Sequence, residues 1–275
     1  MTGKMIVLSG VVAGGAAGGP MVKMTSADQI AANIPALAYV ISPSTLKVGA
    51  DGLLTGRDRA SGKLLTAGGS SANLLTVALM GGKPAICNSG SALVASCLGL
   101  PAGTATPSYT TVQAVYLGDA TLNTATGSLN PIIVMTTSSY IASPLRLYGK
   151  GTTPGDPTYK GQFVGGGSTA SAPWARLNAP TVKGWCILTA CYDDVTKQTT
   201  ITLNGTDSST VTKTVGLTVD SASYWAVGYP YSGSALLDSG IGDTYIFNES
   251  LQSTDYGKGR LAALVASMKT AYGVA

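Results

Sequence analysis

Histidine is absent from this chain of 275 residues. That gap excludes Ser-His-Asp and Cys-His nucleophilic arrangements. Glutamate is nearly absent as well, with Glu249 standing alone. Charged residues make up only 11% of the chain, against roughly 25% in ordinary soluble domains, so Ser, Thr, Asn and Gly must cover much of the surface. The formal net charge is +4. Its basic residues are scattered, with no basic run and no stripe of alternating aromatic and basic residues, which argues against a nucleic-acid partner. No stretch reaches the about 18 consecutive apolar residues of a membrane-crossing helix.

Cys87, Cys97, Cys186 and Cys191 have no C-x-x-C spacing and no histidine beside them, so a zinc site lacks its ligands. Cys186 and Cys191 fall on one predicted strand at odd spacing. They face opposite sides and do not pair with each other. The expected state is four buried thiols acting as small hydrophobes.

What the chain does have is 36 glycines and 13 prolines, a composition of many turns. Its length fits one all-β sandwich. Residues 1–24 are rich in Gly, Ala, Val and Met. Met5 to Val12 reads as a strand and Ala13 to Pro20 as a link. Lys4 before that apolar stretch also allows a secretory signal, but Ser9 and Gly10 interrupt the apolar core such a signal needs. The other reading is an extended arm that adds to its own domain or to a neighbouring subunit. Ser26 to Ile34 reads as a short helix with Ser26 as its cap, Gln29 three residues on, and Pro35 as the stop.

Strands are expected at Ala36 to Ile41, Lys83 to Cys87, Thr111 to Leu117, Asn130 to Met135, Arg146 to Tyr148 and Tyr159 to Val164, with loops at Gly56 to Lys63 and Gly149 to Pro157. The last third is the clearest part. Gly184 to Asp193 is a strand, Thr200 to Leu203 enters a hairpin whose turn is Asn204-Gly205, and strands follow at Trp225 to Gly228 and Ile241 to Leu251. A closing helix has Ser253 as its cap, Asp255 in the first turn and Lys269 in the last. Leu261, Leu264, Val265, Met268 and Tyr272 form one apolar stripe, and Gly273 stops the helix.

This order of strand, Asn-Gly hairpin, two strands and closing helix resembles the concanavalin A-like, laminin-G-like jelly roll. The first half has two further stations of similarity. Arg57-Asp58-Arg59-Ala60-Ser61-Gly62 resembles that family's W-x-D-x-S-G-x-G loop, and Gly82-Lys83-Pro84-Ala85-Ile86 resembles its N-G-K-P-x-[VI]-x-F strand. The aromatic residues of both stations are missing: Leu54 or Thr55 stands where Trp belongs, and Asn88 follows Cys87. The resemblance spans roughly residues 36–275. It implies an all-β concanavalin A-like (laminin-G-like) jelly-roll sandwich over 36–275, preceded by an N-terminal arm and short helix over 1–35, with a C-terminal helix.

Glycosidases with this sandwich typically carry E-x-D-x-x-E on one strand, which this chain cannot make. Two Asp could in principle serve as the carboxylate pair, but Asp193 and Asp194 are adjacent and face opposite sides of a strand. No catalytic residue is assigned, and the expectation is a protein that is not an enzyme. Asp193-Asp194 reads either as a turn bonded to its own backbone or as part of a calcium site helped by Asp238 and Asp243; calcium is the one cofactor left open. Sugar binding needs exposed aromatic faces beside hydrogen-bonding groups. The candidates are Tyr229 and Tyr231, in Tyr229-Pro230-Tyr231-Ser232-Gly233, and Trp174, each of which also has a purely structural reading. Trp185 and Trp225 lie inside strand patterns and are assigned to packing.

Three classes of function remain. The first is a non-enzymatic surface protein of a virion, such as a phage decoration protein or a tail or head fibre component. It would be a homo-oligomer that contacts other virion proteins through its arm and host glycans through its lectin-like domain. Its location would be the virion, assembled in the host cytoplasm. The second is a secreted or cell-surface carbohydrate-binding module, located outside the cell. The third, a glycan-active enzyme, is what the residue inventory argues against.

Overall fold

The structure, a computed structural model, describes residues 24–89, 95–119, 122, 129–136, 140–148, 162–167, 174–229 and 238–275. The sequence readings for Met5 to Val12, Ala13 to Pro20 and Gly149 to Pro157 lie outside these residues. In chain order the strands are β1 Leu37–Ile41, β2 Lys47–Val48, β3 Leu54–Arg57, β4 Leu64–Gly68, β5 Leu75–Met80, β6 Lys83–Asn88, β7 Ser96–Gly99 and β8 Tyr109–Leu117. They continue with β9 Leu129–Thr136, β10 Tyr140–Tyr148, β11 Gln162–Gly167, β12 Ala175–Asn178, β13 Gly184–Asp193, β14 Gln198–Leu203, β15 Asp207–Thr212, β16 Tyr224–Tyr229 and β17 Ser239–Phe247. Helix α1 is Ser26–Ala32 and helix α2 is Asp255–Tyr272.

Among the described residues the strands form two antiparallel sheets. The first runs β15-β14-β13-β8-β17-β6-β5, with β1 also paired to β17; the second runs β12-β11-β10-β9-β16-β7-β4-β3-β2. The fold is an all-β jelly-roll sandwich. Helix α2 lies across the outer face of the first sheet.

That helical layer explains the longest apolar runs in the sequence. A strand covered on one face alternates, whereas a strand covered on both reads as a continuous hydrophobic run. In β13, Cys186, Leu188, Ala190 and Tyr192 face the core between the sheets. Ile187 and Cys191 face the helices. The central strands β8 and β17 divide the same way: Val115 and Ile246 point inward, Val112 and Phe247 outward. Cys186 and Cys191 thus lie on opposite faces of their strand, and all four thiols are buried and free. Burial pushes the thiols of Cys97, Cys186 and Cys191 up to about 12. The edge strand β15, Asp-Ser-Ser-Thr-Val-Thr, carries no large apolar side chain other than Val211 and is largely exposed.

The stripe foreseen on the closing helix is buried at every position: Leu261, Leu264, Val265, Met268 and Tyr272. Its cap is one residue later than the sequence reading placed it. Thr254, not Ser253, accepts from the Gly257 backbone N–H at 3.0 Å, while Ser253 Oγ donates to the Ser250 carbonyl at 2.6 Å. Helix α1 is displaced the other way. Thr25, not Ser26, is its cap, and Asp28 rather than Gln29 closes the capping box: Asp28 N donates to Thr25 Oγ1 at 3.1 Å and Thr25 N donates to Asp28 Oδ2 at 3.0 Å. Two neighbouring hydroxyls can each supply the acceptor, and the one with extended backbone takes the role. Helix α1, grouped with the arm in the sequence, is packed into the domain. Ala27, Ala31 and Ile34 join Leu264 and Met268 in one cluster.

Candidate functional site

The aspartate of the first resembling station organises its loop. Asp58 Oδ1 accepts from Val40 N at 3.1 Å and Ala60 N at 2.9 Å, and Asp58 Oδ2 accepts from Lys63 N at 3.1 Å. The next residue, Arg59, donates its own N–H to the Val40 carbonyl at 2.8 Å. These bonds fasten the loop between β3 and β4 to strand β1 and aim the Arg59 side chain beneath helix α1.

There Arg59 makes a bidentate ion pair with Asp28, Nη2 to Oδ2 at 2.8 Å and Nη1 to Oδ1 at 3.1 Å. Asp28 is fully buried and Arg59 is 7% exposed. The Tyr245 hydroxyl donates to Asp28 Oδ1 at 2.9 Å. Burial raises the Tyr245 phenol well above its ordinary value, with the Asp243 and Asp28 carboxylates adding to the rise. Two-residue alternation on β17 puts Asp243, Tyr245 and Phe247 on the face that the helices cover. Asp243 N donates to the Tyr272 hydroxyl at 2.7 Å. Burial holds the Asp243 carboxyl above the usual carboxylate range, opposed by hydrogen bonds from Ser42 and Tyr272. Burial likewise raises the Tyr272 phenol.

A cleft of about 320 Å³ opens beside this network, walled by Ser42, Ser44, Arg59, Lys83, Asp243 and Tyr272. Pro43 and Pro84 supply apolar wall. Among the described residues Arg59 Nε has no hydrogen-bond partner, although both Nη atoms are engaged. The volume lies in the roughly 300–1,000 Å³ range of small-molecule sites.

The sequence reading missed this constellation. It noted Arg59 only as part of a loop and Asp243 only as a helper to calcium. The signal was the period-two pairing of Asp243 with Tyr245 inside an otherwise apolar strand, since a carboxylate on a covered face needs partners.

The sequence candidates lie elsewhere. Tyr229 is the last residue of β16, and its side chain and all of Tyr231 lie outside the described residues. Trp174 is half-buried and directly precedes β12. In the second sheet β11, β10 and β9 stand between β12 and β16. Four strand spacings are about 19 Å, so Trp174 and Tyr229 do not share one sugar-sized site. Trp185 packs between Tyr116 and Tyr272, with ring centroids 5.5 and 4.6 Å away, and its Nε1 donates to the Met80 carbonyl at 2.9 Å. Trp225 is fully buried edge-on to Tyr109 at 5.1 Å.

Asp193 and Asp194 are engaged in local bonds. Asp193 Oδ1 accepts from Val195 N at 2.9 Å, and Asp194 Oδ1 accepts from the Tyr192 hydroxyl at 2.9 Å. Among the described residues no three His, Cys, Asp or Glu side chains cluster so as to hold a metal ion. No described helix is long and apolar enough to cross a membrane. In the hairpin, Asn204 and Gly205 both take positive φ, 54° and 74°. Asn204 Oδ1 also accepts from Ile187 N at 2.8 Å, tying the turn back to β13.

Solved structures share this architecture. Domain 4 of AbnA, a GH43 extracellular arabinanase from Geobacillus stearothermophilus in complex with arabinotriose, superposes with a TM-score of 0.53 at 14% identity. The match covers 83% of this chain and 98% of that one. Trypanosoma rangeli sialidase in complex with sialic acid superposes with a TM-score of 0.55 at 12% identity, over 85% of this chain and 33% of the sialidase. The chain therefore spans nearly all of the arabinanase domain and a third of the sialidase. At these identities the likeness is one of fold. No protein-family model and no curated protein sequence matches the chain.

Proposed function

We propose that this protein is a non-enzymatic glycan-binding jelly-roll module displayed on a virion surface, as a decoration protein or fibre component. The observation that carries glycan binding is the match over 98% of a domain solved in complex with arabinotriose. The residue inventory supports the absence of catalysis. With no histidine and one glutamate, the acid/base work would fall to aspartates, and of these Asp28 is held in its ion pair by Arg59 and Tyr245. The low charge, the Gly and Thr richness and the apolar segment 1–24 support a surface component that attaches to other virion proteins and forms homo-oligomers. Tyr229, the last residue of β16, and Tyr231 are the aromatic residues proposed to meet the glycan, and Asp193 and Asp194 serve a turn.

A second reading, a secreted or cell-surface carbohydrate-binding module, is favoured by the extracellular setting of the matching arabinanase. It shares the binding chemistry and differs in location. A glycan array with the full chain, paired with an assay for released reducing sugar, tests the shared part. Saturable glycan binding with no sugar release is the expected result; sugar release would overturn the non-enzyme reading. Mass spectrometry of purified particles against culture supernatant separates the two locations.

A further inference from the structure

We propose that the free edge of β5 receives the apolar segment Met5 to Val12 of a second copy of this chain, as one further antiparallel strand of the first sheet. The inference rests on the homo-oligomer reading above and names its joint; glycan binding does not enter it.

The end strands of the two sheets are β15, β5, β12 and β2. Three of them carry a charge, Asp207, Arg176 and Lys47 in turn, a common device against pairing at an edge. The fourth, β5, reads Leu-Thr-Val-Ala-Leu-Met, with neither a charge nor a proline. Strand β1 also borders β17, but Asp58 and Arg59 occupy its outer side through Val40.

The register shows which groups of β5 are unused. Opposed residues in an antiparallel ladder exchange two hydrogen bonds or none, in alternation. Leu79 faces Pro84, which has no N–H to exchange. That pair is therefore an open one, and so is Val77 with Ile86, two residues along. The N–H and C=O of Val77 and Leu79 point away from β6, and among the described residues no bond outside the ladder takes them up. The side chains agree. Leu75, Val77 and Leu79 share one face. Leu75 lies in the core between the sheets and Val77 packs against it, whereas Leu79 is 75% exposed. An added apolar strand would carry that core over Leu79.

Charge and position identify the occupant. Met5 to Val12 is as free of charge as β5. It joins the domain at Thr25, which lines one cleft with Lys83 and Pro84, the residues opposite Met80 and Leu79. The root of the arm thus lies at the Met80 end of β5. An antiparallel addition puts Val12 at the other end, beside Leu75. Within one chain the link would have to run back along the whole strand. From a neighbouring copy with its root at the Leu75 end, it runs straight on, which gives a head-to-tail contact.

The test is sedimentation of the full chain beside two variants. Leu79→Lys places a charge in the joint at an exposed position, where the fold tolerates it. Val7→Pro combined with Leu8→Pro removes an N–H from each side of the incoming strand. A melting curve checks that each is folded. The wild type should self-associate, and each variant should weaken association about tenfold or more at an unchanged melting temperature. Oxidative cross-linking then reads the joint itself, since the native thiols are buried. Leu79→Cys chains mixed with chains carrying Val7→Cys or Leu8→Cys should give a disulfide between the two kinds of chain. A disulfide joining only Leu79→Cys chains to each other would mean that edge pairs with edge. A bond closed within one chain carrying both changes would mean that the arm folds back on its own domain. Either result overturns the proposal. Association untouched by both variants overturns this joint and leaves the homo-oligomer reading in place, while a monomeric wild type removes both.

Discussion

Arg59 and Asp28 show how much one buried pair can hold together. Their bond joins the loop after β3 to helix α1, and Tyr245 ties both to β17. Removing one partner of a buried pair leaves the other charged and unmatched, at a cost of about 3–5 kcal/mol. Arg59→Ala should therefore lower the denaturant midpoint by that equivalent with an unchanged m-value; an unaltered midpoint would show that α1 is held by its apolar contacts alone. The phenols of Tyr245 and Tyr272 lead to a pH effect. Burial raises both above the ordinary tyrosine value. The folded state thus keeps protons that the unfolded chain releases above about pH 10. Their contribution is fully present below that pH and is lost as pH rises beyond it, at about 1.4 kcal/mol per pH unit for each phenol. Alkaline unfolding followed by circular dichroism should coincide with tyrosinate absorbance from these residues. Their ionisation at ordinary tyrosine pH in a still-folded chain would contradict the burial.

Among the elements, α2 was the most legible and the short strands of the second sheet the least. The helix carries a stripe at helical spacing and a Gly273 stop with φ 68°, both local signals. Strand β13 was visible as an apolar run because helices cover its outer face, and β8 as a β-rich segment of alternating character. Strands β2, β3 and β4 are two to five residues long and mostly part-exposed. Pairing with one another, and of β4 with the more distant β7, makes them strands, and no local periodicity records that. The cleft was hidden for the same reason: Ser42, Arg59, Lys83, Asp243 and Tyr272 come from five separate segments and form no motif. The helix also gives a sharp test. Leu264 is fully buried mid-stripe, and a carboxylate there must either stay unpaired or protonate, so Leu264→Asp should destabilise the domain by several kcal/mol. A melting temperature equal to wild type would place this face in solvent. Gly257 adds a close approach: a Cβ there would run into the Leu251 carbonyl oxygen, so the helix entry depends on glycine.

At the scale of the whole molecule, the question is which part folds and which part attaches. The two large clusters, between the sheets and under the helices, draw on residues from Met24 onward. Thr25 caps α1 through its own N–H and side chain. Deleting residues 1–23 therefore leaves every described side chain of both clusters and the capping atoms of Thr25 in place. The truncated chain should melt within a few degrees of the full one, since a change of about 1 kcal/mol moves a domain of this size by only about 2–4 °C. On the proposed virion reading, attachment should behave differently. The apolar stretch Met5 to Val12 can extend a sheet or groove of a neighbouring subunit by strand addition, and nothing in the clusters from Met24 onward replaces it. In a virus assembled with the truncated protein, particle-associated chain measured by quantitative mass spectrometry should fall at least about tenfold, as expected when roughly 1.4 kcal/mol or more of binding is lost. Stable, folded, truncated protein incorporated at the wild-type level would show that attachment runs through the sandwich itself. Loss of folding on truncation would instead mean that residues 1–23 complete the domain.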